Sequence, residues 1–232
     1  MPNYYPIMLD VRGREAVVVG GNSVAGEKAL ALSKSGARVT VMHTEFCPQL
    51  QELAQQQTVT LRYKGYERGD LASAFVVVAA VSDAQLIEEI WQETQERGQL
   101  LNIVDVPARC NFIVPSILRR GKLTIAVSTE GASPGLAKRI RQDLEGLFPA
   151  SYDLYLQLAS VARAHLKQGG VSYADRDDFF GKFFAKDILS LLTENRLSEA
   201  VSITRSLLAD YGINVSSEAI TADLQAMEGS RP

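Results

Sequence analysis

The chain has 232 residues, of which 46% are hydrophobic and 22% charged, with a formal net charge of -3. That is enough chain for one large domain or two modest ones around a sizeable core, and the balance excludes wholesale disorder and any global electrostatic case for nucleic acid. The two cysteines, Cys47 and Cys110, form no C-x-x-C pair, and the two histidines, His43 and His165, lie far apart, so neither a disulfide scaffold nor a protein-built metal site is expected. The opening MPNYYPIMLD has no basic start and no long apolar run. A secretory leader is therefore not expected, and no apolar stretch approaches the roughly 18 residues of a spanning helix. The expectation is a cytoplasmic protein without membrane association.

In chain order, AVVVG, ARVTVM, TVTLRY, AFVVVAA and LLNIVD are short runs rich in β-branched residues with turn residues nearby. Between the first two, Val24 to Ser35 carries apolar residues at helical spacing, with Gly36 as its cap. Asp83 to Arg97 reads as a second helix, opened by Ser82 or Asp83 and closed by Gly98. Runs that are apolar throughout predict strands buried on both faces, hence a parallel sheet with helices on each side. Residues 1–113 read as a doubly wound α/β domain. After Pro115 the pattern changes: KLTIAVS is one more strand, TEGAS a polar loop, and Pro134 begins a helix to about Phe148 with Ser133 as its cap. From Ser151 the chain reads as wholly helical, in three or four segments broken at Gly169-Gly170, Asn195 and Gly212.

Two glycine patterns overlap after the first strand. Gly21-Asn-Ser-Val-Ala-Gly26 has P-loop spacing, but Glu27 stands where the phosphate-binding Lys is required, and Ala29 cannot hold magnesium. Gly20, Asn22 and Ala25 occupy the three positions of a dinucleotide-binding turn, with a strand running in and a helix running out. Asn22 departs from the glycine usual there; asparagine tolerates left-handed backbone angles, at a steric cost toward a pyrophosphate. The ribose partner belongs about 20 residues on, at the end of the second strand. Met42, His43, Thr44 and Glu45 stand there, Glu45 being able to accept from a ribose hydroxyl, and no Arg or Lys lies between Val41 and Phe46 to meet a 2′-phosphate. NAD is thus favoured over NADP.

The stretch LDVRGREAVVVGGNSVAGEKALALSKSGARVTV resembles the start of siroheme synthase N-terminal domains, which are precorrin-2 dehydrogenases, some of them also sirohydrochlorin ferrochelatases. The likeness continues through NIVDVPARCNFIVPSILRRGKLTIAVSTEGASPGLAKRIRQDLE and, more loosely, DDFFGKFF. It implies a Rossmann-like parallel sheet domain (residues 1–113), a small α+β dimerisation region (114–150) and an all-helical C-terminal domain (151–232), assembled as a homodimer. It implies NAD-dependent oxidation of precorrin-2 to sirohydrochlorin. The alternatives are a bifunctional enzyme that also inserts iron, or a non-catalytic tetrapyrrole-binding regulatory protein on the same fold. By motif position it places Ser23, Val24, Thr44 and Glu45 at the cofactor, beside Gly20, Gly21 and Asn22, and Asp105 in the chemistry. Thr129 falls where some relatives carry a regulatory phosphoserine. Two positions depart from the family pattern, Asn22 in place of a third glycine and Glu27-Lys28 in place of Arg-Lys, and both bear on cofactor affinity. The chain leaves no room for a methyltransferase domain, so methylation is expected of another protein.

A tetrapyrrole rimmed with carboxylates calls for fixed cations and amide donors. Arg119, Arg120 and Lys122 cluster before one strand, and Lys138, Arg139 and Arg141 on the Pro134 helix. The loop Ser128 to Ser133 leads into that helix, so Ser128, Thr129, Ser133 and Lys138 are the candidate substrate contacts. Asp105 ends a strand just before Pro107, at the carboxyl edge where open α/β sheets bind ligands. Asn102 is expected to be a structural hydrogen-bonder. Phe179, Phe180, Phe183 and Phe184 are spaced like helix core.

Overall fold

The valine-rich runs become the strands of a parallel sheet in a computed structural model that describes residues 4–229. The chain divides into two compact units, one ending at Val114 and one beginning at Pro115. In the first, β1 (Glu15–Val19), β2 (Arg38–His43), β3 (Thr60–Tyr63), β4 (Val76–Ala79) and β5 (Leu100–Ile103) form a five-stranded sheet in the order β3-β2-β1-β4-β5, every neighbouring pair parallel. Alternate residues feed two cores. Ala16, Val18, Val39, Val41, Val76 and Val78 pack against α1 (Ser23–Lys34) and α2 (Pro48–Gln55) through Ala25, Ala29, Leu50 and Leu53. Val17, Val19, Val77 and Ala79 pack on the other side with Leu71 and with Ile90 of α3 (Ala84–Arg97). Helices on both faces explain why β1 and β4 are apolar throughout: every residue of β4, and Ala16 to Val19 of β1, is buried.

The two sheet edges differ. β3 exposes Thr60, Arg62 and Tyr63, so this strand is not buried on both faces as its composition suggested. At β5 the edge is covered. Asn111 imitates a neighbouring strand: its Oδ1 accepts from the Leu101 amide at 2.8 Å, its Nδ2 donates to the Gln99 carbonyl at 2.7 Å, and its own amide donates to the Leu101 carbonyl at 3.1 Å. Asn102 donates to the Phe112 carbonyl at 3.1 Å, the structural role expected of it.

α2 was not expected. Its eight residues carry little apolar signal, but Pro48 opens it and Leu50 and Leu53 are buried beneath it. α3 begins where Asp83 accepts from the Leu86 amide at 2.8 Å. It carries a carboxylate that is 1% exposed: Glu93 accepts from the Tyr66 hydroxyl at 2.7 Å, the Gly69 amide at 2.8 Å and Arg97 Nε at 3.0 Å. Glu93 thus ties the connection after β3 to α3.

In the second unit β6 (Ser116–Arg120) and β7 (Leu123–Val127) form an antiparallel hairpin turning at Gly121-Lys122. This corrects the expected single strand, since Arg119 and Arg120 lie within β6 rather than in a loop before it. Leu118 is buried while Ile117 and Arg119 are exposed, the alternation of a half-buried strand. α4 (Pro134–Leu147) follows, capped by Ser133, whose Oγ accepts from the Leu136 amide at 3.3 Å. Among the described residues five helices come after it rather than three or four: α5 (Ser151–Gln168), α6 (Tyr173–Ala185), α7 (Ile188–Thr193), α8 (Leu197–Ala209) and α9 (Ser217–Gly229). The unanticipated break falls at Lys186, which adopts an extended conformation with no glycine or asparagine to announce it. Phe179, Phe180 and Phe183 are buried among α5, α7 and α8, whereas Phe184 is half-exposed with its ring edge on Tyr155. Among the described residues no helix is long and apolar enough to cross a membrane.

Burial alone would raise the Glu93 carboxyl, but the Gly69 amide, the Tyr66 hydroxyl and Arg97 together hold it below the usual carboxylate range. Glu93→Ala leaves buried donors without an acceptor and is expected to destabilise the fold by about 1.5–3 kcal/mol in urea titrations. Because the folded-state value is depressed, the stabilisation is fully present above the unfolded value of about 4.3 and is lost as pH falls through the folded one. The stability difference between the wild type and Glu93→Gln should therefore shrink below about pH 4. A difference constant from pH 7 to pH 3 would contradict this account.

Candidate functional site

Strand order reverses at β1, with β2 on one side and β4 on the other, so a crevice opens at the carboxyl ends of these strands. Four loops line that edge: Gly20–Asn22 after β1, 43–47 at the end of β2, 80–83 after β4 and 104–106 after β5. The glycine turn is packed by the protein itself. Gly20 has φ +141°, and a Cβ there would lie 2.6 Å from the Ala80 carbonyl oxygen. A Cβ on Gly21 would run into the Glu45 carbonyl and lie 2.7 Å from His43 Nδ1. The turn can pass only as bare backbone.

Asn22 is not left-handed, which corrects the reading of it as a tolerated distortion. Its φ of -86° and ψ of 179° are ordinary extended values, and it is the N-cap of α1. The side-chain Oδ1 accepts from the Ala25 amide at 2.9 Å, and Nδ2 donates to the Ala80 carbonyl at 3.3 Å. One amide side chain therefore starts the helix and bridges the two strands flanking the crevice. The amides of Ser23 and Val24, in the first turn, have no acceptor within the helix and mark its positive end. They offer an anion site of the kind a pyrophosphate requires.

At the end of β2, Thr44 and Glu45 are exposed. The Cys47 amide donates to the Gly21 carbonyl at 2.8 Å and the Gly20 amide to the Met42 carbonyl at 3.0 Å, which fastens this loop to the glycine turn. Asp105 sits in the turn after β5, exposed, with φ +61°. Aspartate is one of the few residues that occupy that region at modest cost, and such backbone outliers concentrate at functional sites. Gly20, Gly21, Asn22, Ser23, Val24, Thr44, Glu45 and Asp105 are thus brought to one edge of one sheet.

The remaining candidates belong to the second unit. In the β7–α4 loop, Ser128 Oγ accepts from the Glu130 amide and Thr129 Oγ1 from the Ser133 amide, both at 3.0 Å, while Ala132 donates to the Thr129 carbonyl at 2.8 Å. With Leu136 bonded to Ser133, the loop consumes most of the amides expected to converge on an anion. Lys138 is exposed, whereas its neighbours Arg139 and Arg141 are paired one turn on with Asp143 and Glu145. Arg120 donates to the Phe148 carbonyl at 2.8 Å.

Two histidine contacts went unread in the sequence. His43 Nδ1 meets the Glu45 carbonyl at 2.7 Å, and His165 Nε2 lies 2.9 Å from Asp223 Oδ2, a partner 58 residues away. Nothing in the spacing announces the second pair. Among the described residues no three His, Cys, Asp or Glu side chains gather as a metal site.

Two family models match the chain, a putative NAD(P)-binding family over residues 7–116 and the central part of sirohaem biosynthesis proteins over residues 120–147. The siroheme synthase of Nitrosococcus oceani is 35% identical over 197 residues, which cover 85% of this chain and 42% of that protein. Siroheme synthase 1 of Serratia proteamaculans is 34% identical over 198 residues, with the same coverage. The chain therefore spans less than half the length of these curated relatives. Among solved structures, "SirC, precorrin-2 dehydrogenase" superposes with a TM-score of 0.74 at 26% identity, covering 88% of this chain and 100% of that one. With an NAD(P)-binding segment joined directly to the sirohaem-specific central segment, the chain is similar to siroheme synthases in both segments.

Proposed function

We propose that the chain oxidises precorrin-2 to sirohydrochlorin with NAD as the hydride acceptor. The observation that carries this reading is the gathering of the glycine turn, the free Ser23 and Val24 amides and Asp105 at the carboxyl edge of one sheet. The likeness to a precorrin-2 dehydrogenase over its full length supports it. The site fits the cofactor: a turn held to bare backbone, a helix N-terminus with unused amides and a carboxylate at the end of β2. Glu45 accepts from a ribose hydroxyl in this reading. The absence of Arg and Lys from Val41 to Phe46 favours NAD over NADP. When bound, the nicotinamide supplies the hydride acceptor. Asp105 Oδ then takes the proton that the macrocycle loses together with the hydride, or holds a pyrrole N–H and so fixes the ring. In the second unit Lys138, Arg119 and Lys122 are exposed cations suited to a ligand's carboxylates, and Ser128, Thr129 and Ser133 shape the loop before α4. The free thiols of Cys47 and Cys110 suit the reducing cytoplasm that this reading assigns.

The same reading includes a homodimer. Leu136, Ile140 and Leu147 leave one face of α4 exposed at 51%, 37% and 69%, and Ile117 of β6 is exposed as well. A second copy of the chain would cover this apolar stripe. The double variant Leu136→Glu with Ile140→Glu should sediment as a monomer at micromolar concentration while retaining its helix content. A mass unchanged from the wild type would remove α4 from the interface.

A positioned base contributes typically about 10²- to 10⁴-fold. Asp105→Asn should lower turnover by roughly that factor while NAD affinity stays within about twofold. Asparagine keeps the left-handed turn, so it is the cleaner variant; alanine adds backbone strain. Near-normal oxidation of precorrin-2 by Asp105→Asn would reduce Asp105 to a turn residue. Asn22→Gly should tighten NAD binding, because it frees the Ala25 amide and clears the approach to the pyrophosphate while glycine remains an acceptable cap. Calorimetric titration giving an unchanged or weaker dissociation constant would refute this.

A further inference from the structure

The loop between β2 and α2 has firm ends and an open middle. Met42 accepts from the Gly20 amide, Phe46 is 8% exposed with its ring edge-on to Tyr63 at 4.9 Å, and the Cys47 amide is bonded to Gly21. Gln51 Nε2 also donates to the Phe46 carbonyl at 3.0 Å. Between these anchors lie His43, Thr44 and Glu45. The bond that shapes this span is internal to it: His43 Nδ1 lies 2.7 Å from the Glu45 carbonyl oxygen. The Glu45 amide also points at Nδ1, at 3.1 Å, and donates to it in the other tautomer, since one ring nitrogen cannot donate and accept in the same direction. The shorter contact, to an oxygen, is a hydrogen bond in the tautomer that carries its proton on Nδ1, and that tautomer is the one assigned to His43 here. The carbonyl so held is the one that presses on Gly21, and the imidazole itself forms the next wall of that space.

We infer that His43 is a positioning residue of the cofactor site. Its Nδ1–H holds the Glu45 carbonyl against the glycine turn, and this sets where the Glu45 carboxylate stands relative to the Ser23 and Val24 amides. The inference rests on the NAD reading above. It assigns His43 no contact with the cofactor and no part in proton transfer. The span would otherwise be free to rotate between its anchors, and the ribose carboxylate would be offered in many orientations rather than one. Its consequence is selective: cofactor affinity depends on the latch, whereas the chemical step at saturating cofactor does not.

Asparagine places Nδ2 as many bonds from Cα as histidine places Nδ1, whereas glutamine places its nitrogen one bond further out. Wild type, His43→Asn, His43→Gln and His43→Ala are compared in two measurements: amide hydrogen exchange at Glu45 to Cys47 in the cofactor-free protein, and NAD dissociation constants by calorimetry. His43→Ala and His43→Gln should exchange faster at the Cys47 amide and bind NAD roughly 3- to 10-fold more weakly, the loss of about one net hydrogen bond. His43→Asn should stay within about twofold of wild type in both, and kcat at saturating NAD should be unchanged in all four. The inference is overturned if His43→Ala keeps wild-type exchange and affinity, or if His43→Asn is as impaired as His43→Ala, which would make ring packing the cause. Wild-type protein that binds no NAD overturns the cofactor reading and the role built on it. A wild type that binds NAD with no difference among the variants overturns only the role of His43.

Discussion

Carbonyl oxygens of Ala80 and Glu45 close on the turn after β1 at the points where side chains would begin. The first unit depends on this crowding. A methyl group at Gly20 would have to part β1 from β4, and one at Gly21 would have to lift the β2–α2 loop. Because neither is present, three strand ends meet tightly and α1 starts directly under its asparagine cap. On the proposed cofactor reading, sheet packing and ligand recognition are one problem, solved by the same few backbone atoms. A substitution meant to alter cofactor binding at this turn would alter the sheet as well.

The parts of this arrangement that follow from local chemistry were readable in the chain. Valine runs between turn residues, Asp83 and Ser133 as caps, and a glycine pair between strand and helix each carry their cause within a few residues. What escaped depends on distant groups. Asn22 looked like a defect because a motif asks for glycine, and its value as a cap and bridge is visible only once the Ala25 amide and the Ala80 carbonyl are placed beside it. α2 carries too few apolar residues to show a period. β6 was hidden because arginines on its open positions resemble a solvated cluster. The residues proposed for the site on the first unit were named from the glycine spacing together with the family resemblance; the reason the β2 loop holds its shape could be read from neither.

The second unit answers its own charges more fully than its sequence suggests. Hydroxyls of Ser128, Thr129 and Ser133 take up neighbouring amides, and two of the three cations on α4 are neutralised one turn away. A carboxylate-rich ligand at this loop would meet flexible side-chain cations rather than a rigid nest of backbone donors. Affinity of that kind depends on ionic strength more steeply than on shape.

The asparagine that lies along β5 limits how far the sheet can grow. A sixth strand would need the Leu101 amide and carbonyl, and Asn111 already holds both. The edge is thus terminated chemically, by a side chain set in the register of a strand, and not merely shielded. Extension of this sheet by a strand of another chain is confined to the opposite border at β3, where the exposed Arg62 and Tyr63 and only four residues of length make poor terms for an intruder. A sheet finished in this way keeps its strand count fixed while the loops at its carboxyl end remain free to vary.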